Sequence, residues 1–141
     1  MFNLSNFPGS KVCLACDGCC RFKDESSLWA PYGIKTQKYH DYFICEMFDP
    51  VLNKCRDYIN RPFDCRAYPF LLHKNRYKFF LALHTECCFV KKIYGTEELT
   101  RLIEYMVSFI EKKEVKDFLK DKSDIFISYP EGIRIIHSLS F

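Results

Sequence analysis

The chain has 141 residues, of which nine are cysteine and 17% are aromatic, with a net charge of +3. This length fits one domain, and the charge is too small to indicate nucleic-acid binding. No apolar stretch reaches the ~20 residues of a membrane span, and residues 1–12 lack the apolar core of a signal peptide. We therefore expect a cytoplasmic protein, in which thiols stay reduced.

The cysteines begin with a C-x-x-C-x-x-C-C run and all lie in the first 88 residues. The run is formed by Cys13, Cys16, Cys19 and Cys20, and its spacing with Gly18 predicts a loop. Thiols two residues apart let a tight loop direct several sulfurs at one centre, as metal sites do. An odd number of cysteines would also leave one thiol over in a pure disulfide framework. The spacing therefore favours metal binding.

The middle of the chain combines single cysteines with turn signals. Residues 21–44 show no clear pattern, whereas Asp49-Pro50 and Arg61-Pro62 indicate turns, because the residue before proline is driven away from the α region. Residues 70–84 predict a β-hairpin with its turn at residues 74–76.

The C-terminal third has no cysteine and carries the clearest helix pattern, at residues 96–121. Thr96 is the predicted N-cap, and residues 118–119 either continue the helix or belong to a second short one. Residues 125–129 and 133–136 predict a second hairpin. One apolar stripe at helical spacing supports the helix, and its members are Leu99, Leu102, Ile103, Met106, Val107 and Ile110.

Together these elements predict a small α+β fold: a cysteine-rich, metal-centred domain with irregular loops, a short hairpin and a C-terminal helix plus hairpin. We expect a single domain over residues 1–141. Within it, residues 13–88 would form the metal-binding region, and residues 96–141 would form a helix and hairpin that cover it.

Two adjacent cysteine pairs, Cys19-Cys20 and Cys87-Cys88, suggest more than one metal centre. Neighbouring side chains of an extended segment point to opposite faces, so adjacent thiolates suit two centres better than one small ion. Two four-sulfur sites would use eight of the nine cysteines, which leaves one thiol spare. All nine are candidate ligands: Cys13, Cys16, Cys19, Cys20, Cys45, Cys55, Cys65, Cys87 and Cys88.

The type of metal is not fixed by the cysteines alone. Zinc and iron–sulfur clusters both accept thiolate ligands. A C-x-x-C-x-x-C run begins the bacterial ferredoxin motif, whereas a zinc ribbon has two separated C-x-x-C pairs. The ferredoxin motif also has a later Cys-Pro, which this chain lacks, so the ferredoxin fold is not implied.

Several basic residues lie close to cysteines in the sequence. Arginines near sulfur offset its negative charge and tune the reduction potential, and Arg61 and Arg66 are the candidates for this role. Ion pairs with nearby carboxylates would explain them equally well. His84 lies three residues before Cys87, where it is either a fourth ligand or, more simply, a strand residue at a sheet edge.

Two motifs resemble those of a known family: CLACDGCCR at residues 13–21 and RPFDCRAYPF at residues 61–70, with Cys45 and Cys55 between them. Over about residues 13–88 they are similar to the CxxCxxCC family, the YkgJ-like group of zinc- or iron-chelating proteins. Flagellin lysine N-methylases carry a similar cysteine domain, and that resemblance implies an iron–sulfur cluster rather than zinc alone. Where the family often has Cys-Pro-Gly, this chain has Cys87-Cys88-Phe89, and residues 21–44 are shorter than the matching stretch of many members.

Three functions remain open. The first is an iron–sulfur protein that binds one or two [4Fe-4S] clusters and acts in electron transfer or as accessory to a partner enzyme. The second is a zinc-binding structural or metal-handling module that folds with its metal. The third is a cluster-dependent methyl-transfer enzyme related to the lysine N-methylases, with Asp64, Tyr68 and the arginines near the cysteines as candidate active-site residues. We expect a redox or enzyme protein as partner, and neither a membrane nor nucleic acid.

The adjacent pair Cys19-Cys20 provides a direct test of the two-centre hypothesis. If the two side chains serve opposite faces, Cys19→Ser and Cys20→Ser should each lose metal from a different centre. Iron and zinc analysis with electron paramagnetic resonance, on anaerobically purified protein, would separate the two losses. Complete loss of the same single centre in both variants would contradict the two-centre hypothesis.

Overall fold

The computed structural model describes residues 21–23, 35–52, 54–56 and 63–141, and these form the predicted α+β class of fold with irregular connections. No helix within these ranges is long and apolar enough to cross a membrane. The predicted loop at residues 13–20 and the candidate Arg61 lie outside them. The described elements are strands β1 (Arg21–Phe22), β2 (Thr36–Tyr39), β3 (Tyr42–Cys45), β4 (Phe48–Asp49), β5 (Lys54–Cys55), β6 (Phe70–Asn75), β7 (Lys78–His84) and β8 (Ile133–Leu139), and helices α1 (Phe63–Ala67), α2 (Cys88–Ile93), α3 (Glu97–Ile110) and α4 (Lys113–Lys120).

The first part of the described chain forms two small antiparallel sheets. Strand β3 is central in one, with β1 and β2 on its two sides, and β4 pairs with β5 in the other. The β2–β3 connection is tight, because Tyr39 pairs with Tyr42 and His40 adopts a left-handed φ of 56°. A small core encloses this region, and its buried members are Phe22, Ile44, Cys45 and Phe48.

The predicted hairpin at residues 70–84 is confirmed, with a shorter turn than expected. Strand β6 extends to Asn75 and pairs with β7 through Asn75 and Lys78. Only Arg76 and Tyr77 form the turn, and Arg76 takes the left-handed φ of 58° that two-residue hairpin turns require. The polar Lys74 and Asn75 therefore belong to a strand end rather than to a loop.

The predicted second hairpin is wrong. Strand β8 pairs antiparallel with β7, so the larger sheet has the order β6-β7-β8. Ile127 instead forms a parallel bridge with His73 on β6, at the opposite edge of this sheet. Apolar residues correctly indicate burial in the first segment, where Ile125 and Phe126 are buried, whereas Ile135 in the second is 48% exposed. Burial in any case does not determine which strand becomes the neighbour.

The long helical pattern divides into two helices. Helix α3 ends at Ile110 and α4 begins at Lys113, so residues 118–119 belong to a second short helix. Thr96 occupies the predicted N-cap position of α3, with extended backbone angles, but its side chain makes no capping hydrogen bond. The Thr96 hydroxyl instead donates to the Ile93 carbonyl at 2.5 Å, which ties α3 to the end of α2.

One apolar core joins the larger sheet to the helices. It includes Ala67 from α1 and Leu81 from β7, together with Cys87 at the start of α2. Residues 96–141 therefore share their core with the part of the chain that bears the later cysteines. The helices contribute side chains with no exposed surface, namely Val90, Met106, Ile110, Val115 and Leu119.

Leu81 offers a test of this core. Its side chain is fully buried in the central strand of the larger sheet, so Leu81→Ala should lower the free energy of unfolding by about 2–5 kcal/mol. Leu52→Ala makes the same chemical change at a position that is 57% exposed, and it should alter the free energy by less than about 0.5 kcal/mol. Urea unfolding, followed by circular dichroism, would measure both. Equal effects of the two substitutions would contradict the assigned core.

His73 is the buried polar side chain of the larger sheet, with 7% of its surface exposed. Its Nδ1 accepts a hydrogen bond from the Tyr129 backbone N–H at 3.2 Å, and its ring stacks on the Tyr129 ring. Burial lowers the pKa of His73 below its ordinary value of 6.5, against a smaller opposing effect of a backbone hydrogen bond with Ile127. A neutral His73 ring is therefore compatible with the fold. Protonation of Nδ1 would remove the acceptor for the Tyr129 N–H.

The lowered pKa of His73 predicts a pH effect on stability. The unfolded chain takes up the proton at a higher pH than the folded chain, so the contribution of His73 is present above pH 6.5 and is lost as pH falls through the lowered folded pKa. His73→Gln should remove up to about 1.4 kcal/mol per pH unit of this dependence. Unfolding measured between pH 7 and pH 5 would test this, with the exposed His40→Asn variant as control. An unchanged slope in His73→Gln would contradict the prediction.

Candidate metal centre

The predicted ligands in the described part of the chain are Cys45, Cys55, Cys65, Cys87 and Cys88. The first four are reduced thiols, whereas Cys88 is disulfide-bonded. Within the described ranges, no group of three or more histidine, cysteine or carboxylate side chains is arranged to hold a metal ion. A complete centre would therefore need ligands from outside those ranges, where the remaining predicted ligands, Cys13, Cys16, Cys19 and Cys20, are found.

Cys45 and Cys55 are brought together by the turn from β3 into the β4–β5 hairpin. Strand β3 ends at Cys45, the chain turns through residues 46–47, and Phe48 on β4 pairs with Cys55 on β5. The two sulfurs are near enough for the charge of Cys55 to raise the pKa of Cys45. These two predicted ligands therefore lie in one small structural unit, ten positions apart in the sequence.

The turn after Cys45 supplies hydrogen-bond donors to its sulfur. The backbone N–H groups of Met47 and Phe48 both donate to the Cys45 Sγ. N–H donors stabilise the anionic thiolate over the neutral thiol, and hydrogen bonds to sulfur are one means by which proteins tune metal–thiolate centres. The backbone around Cys45 is thus shaped to stabilise negative charge on sulfur.

Burial opposes that charge. Cys45 is 7% exposed, and loss of solvent raises the pKa of its thiol, with smaller raising contributions from the charges of Cys55 and Glu46. The two N–H donors lower the pKa but do not outweigh burial. A cation bound by both sulfurs would replace the proton, since a metal requires the deprotonated ligand. Its positive charge would offset the cost of burying the thiolate and the repulsion between the two sulfurs. The two sulfurs of Cys45 and Cys55 therefore fit a thiophilic metal.

Further hydrogen bonds fix the hairpin around the two cysteines. The Asp49 carboxylate accepts the N–H groups of Val51 and Leu52 at 3.0 and 3.1 Å and closes its tip. The Arg56 N–H donates to the Met47 carbonyl at 2.7 Å, and its guanidinium donates to the Glu46 carbonyl at 3.4 Å. Arg56 thus places a cation beside the turn that binds the Cys45 sulfur.

A second group of predicted residues surrounds the end of helix α1. Cys65 and Arg66 are half-buried on this helix, and Arg66 lies in its last turn. The Tyr68 hydroxyl is hydrogen-bonded to the Nδ1 of His84 at 2.5 Å, and the His84 N–H donates to the Pro69 carbonyl at 2.8 Å. These bonds join the chain segment that follows Cys65 to the end of β7.

The same end of β7 leads directly to Cys87. The Cys87 N–H donates to the His84 carbonyl at 3.3 Å, and Cys87 then precedes helix α2 with 6% of its surface exposed. His84 is a strand residue, as the simpler prediction held, but β7 is the central strand of its sheet and not an edge. Burial lowers the pKa of His84; the charge of Glu86 opposes this effect, and the charge of Lys91 adds to it.

The adjacent residues Cys87 and Cys88 differ in chemical state. Cys87 carries a thiol in the larger core, whereas the Cys88 sulfur is in a disulfide. Zinc and iron–sulfur clusters bind cysteine as the thiolate, so Cys88 could coordinate either of them only after reduction. The structure thus distinguishes two neighbouring residues that the sequence left equivalent.

Sequence reasoning missed which backbone groups contact the Cys45 sulfur. N–H groups are present at every residue except proline, so no letter in the sequence marks Met47 and Phe48 as donors to sulfur. The available signal was Asp49-Pro50, which predicted a turn close to Cys45. The Tyr68–His84 hydrogen bond likewise joins residues 16 positions apart, and neither residue has a pattern that identifies the other.

Comparison with known proteins finds no matching family model, no matching curated protein and no matching solved structure. The motif resemblance to the CxxCxxCC family therefore stays a prediction. What the residues define directly is a small cysteine-rich α+β protein in which Cys45 and Cys55 lie near each other.

Proposed function

We propose that this protein belongs with the CxxCxxCC group and binds one or two [4Fe-4S] clusters through cysteine thiolates. It acts in electron transfer, or as accessory to a partner enzyme, in the cytoplasm. The observation that carries this proposal is the buried sulfur of Cys45, which accepts two backbone N–H groups and lies beside Cys55. That environment favours an anionic sulfur only when a cation neutralises it.

A cluster is proposed in preference to zinc on the basis of the sequence pattern. The C-x-x-C-x-x-C run at residues 13–19 matches the start of a cubane-binding loop rather than a zinc ribbon. The nine cysteines also exceed the four that one structural zinc site uses. A zinc-binding structural or metal-handling module is the alternative, because the neighbouring thiols of Cys45 and Cys55 would suit zinc as well.

The residues have distinct proposed roles. Cys45, Cys55, Cys65 and Cys87 are ligands, together with the cysteines of the N-terminal run, and Cys87 is preferred to the disulfide-bonded Cys88. Arg61 and Arg66 are proposed to offset the negative charge of the thiolates. A bound cluster would supply one-electron transfer, and the protein's own residues would set its potential through N–H donors, nearby cations and exclusion of water.

Metal analysis of anaerobically purified protein tests the proposed function. We expect brown protein with about four or eight iron atoms and as many acid-labile sulfides per chain, for one or two clusters. The cluster should also be reduced and reoxidised reversibly. Colourless protein with about one or two zinc ions would replace this proposal by the zinc module. An iron–sulfur cluster that cannot be reduced would refute electron transfer but not cluster binding.

A further inference from the structure

Three cations at the tip of the β6–β7 hairpin lie outside any salt bridge of the described residues. Lys74 belongs to the end of β6, Arg76 to the turn and Lys78 to the start of β7. Lysines elsewhere do pair with carboxylates, as Lys91 does with Glu86 at 2.9 Å. Because these three charges lie close together in the sequence and none is neutralised in this way, the tip has a positive potential that favours an anion.

A cleft of about 460 Å³ opens beside these cations. One side is formed by Tyr77 of the turn and the first three residues of β7, and the other by residues 138–141. Its volume lies within the range of about 300–1,000 Å³ that is usual for small-molecule sites. The residues that line it include Lys78 but no aspartate or glutamate. Its charge therefore suits an anionic ligand.

Two aromatic rings of this cleft are open to solvent. Tyr77 has 95% of its surface exposed, although the flanking strands are paired as far as Asn75 and Lys78. Phe141 is 44% exposed, and its ring packs edge to face on those of Phe79 and Phe126, with centroids 5.7 and 6.1 Å away. A single exposed aromatic residue is ordinary on a protein surface, but here two of them line one cleft.

The lining also supplies hydroxyl groups. Ser138 pairs with Phe80 across the β7–β8 ladder, and Ser140 follows β8; both serines are exposed. A hydroxyl group both donates and accepts hydrogen bonds. The cleft thus combines aromatic rings, a cation and neutral hydrogen-bonding groups, which together match a ligand with a planar ring, an anionic group and hydroxyls.

From this combination we infer that the cleft beside Tyr77 binds a nucleoside monophosphate. The base stacks on the rings of Tyr77 and Phe141, since stacking on aromatic side chains stabilises any of the bases. The phosphate carries about two negative charges at pH 7, and it pairs with Lys78 and Arg76. The serine hydroxyls of the cleft bind the ribose hydroxyls.

A free nucleotide fits this cleft better than a simpler or a larger ligand. A neutral aromatic molecule would leave the cations without a counter-ion, and inorganic phosphate would leave the exposed rings in water. The cleft has room for one small molecule rather than a strand, and a net charge of +3 is too small to attract nucleic acid. No predicted metal ligand lines the cleft, so this site goes beyond the proposed function and does not depend on it.

Calorimetric titration of the full chain with AMP tests the inference. We expect a Kd between about 10 μM and 1 mM, which is the weak binding of an open cleft. Adenosine, which lacks the phosphate, and inorganic phosphate, which lacks the base, should each bind at least about fivefold more weakly. Added salt should weaken the binding of AMP more than that of adenosine, because salt screens exposed charges.

Matched variants locate the site. Tyr77→Ser and Lys78→Gln should each raise the Kd for AMP by about fivefold or more, whereas Lys78→Arg keeps the charge and should bind AMP as the wild type does. The controls Tyr94→Ser and Lys92→Gln make the same changes at exposed positions outside the cleft, and they should leave the Kd within about twofold. Circular dichroism would show that each variant is folded. Unchanged AMP binding in folded Tyr77→Ser and Lys78→Gln would overturn the inference.

A measurement on the wild-type protein avoids substitutions. Intermolecular nuclear Overhauser effects from the adenine protons should reach the ring protons of Tyr77 and Phe141, and contacts with other rings alone would refute the site. Absence of binding at millimolar AMP would refute it as well. Equal affinities for AMP and inorganic phosphate would reduce the site to a basic tip that attracts any anion, and a short oligonucleotide that binds about 100-fold more tightly than AMP would make a nucleic-acid strand the ligand instead. Each of these two results would overturn the inference, and neither bears on the metal content of the protein.

Discussion

Two opposing effects act on the charge of the buried Cys45 sulfur. Cys45 is removed from solvent, which raises the pKa of its thiol, while two backbone N–H groups are directed at it and favour the thiolate. Under the proposed function a metal would satisfy both, because it binds the thiolate and removes the penalty for burying the charge. The charge of Cys55 also raises the pKa of Cys45, so the two sulfurs lie near each other.

The two hydrophobic cores differ greatly in size. The first contains Phe22, Ile44, Cys45 and Phe48 as its buried members, around short two- to four-residue strands. Small two-stranded pieces are marginal in water, and domains with little core commonly depend on metal or disulfides. The second core is built by a three-stranded sheet and amphipathic helices. Metal binding and folding are therefore expected to be most closely linked in the first core.

The fold was predictable where a local pattern determines structure. The apolar stripe of α3 and the hairpin from Phe70 to His84 followed from periodicity, because each element buries one face. The pairing of β8 with β7 was not predictable in this way, since a strand's neighbour depends on how the whole sheet packs on α3 and α4. The β2–β3 hairpin also escaped notice, because both Ile44 and Cys45 are buried and the strand lacks clean alternation.

The candidate site, like the fold, could be predicted from the sequence only in part. Cysteine spacing predicted candidate ligands, but grouping any of them required the fold, because the turn after β3 and the register of the β4–β5 hairpin bring Cys45 and Cys55 near each other. The Tyr68–His84 hydrogen bond performs a comparable task at the other core, where it connects the segments bearing Cys65 and Cys87. Side chains widely spaced in sequence are thus set in position by backbone and polar contacts. Under the proposed function, such preorganisation would lower the entropy that metal binding must overcome.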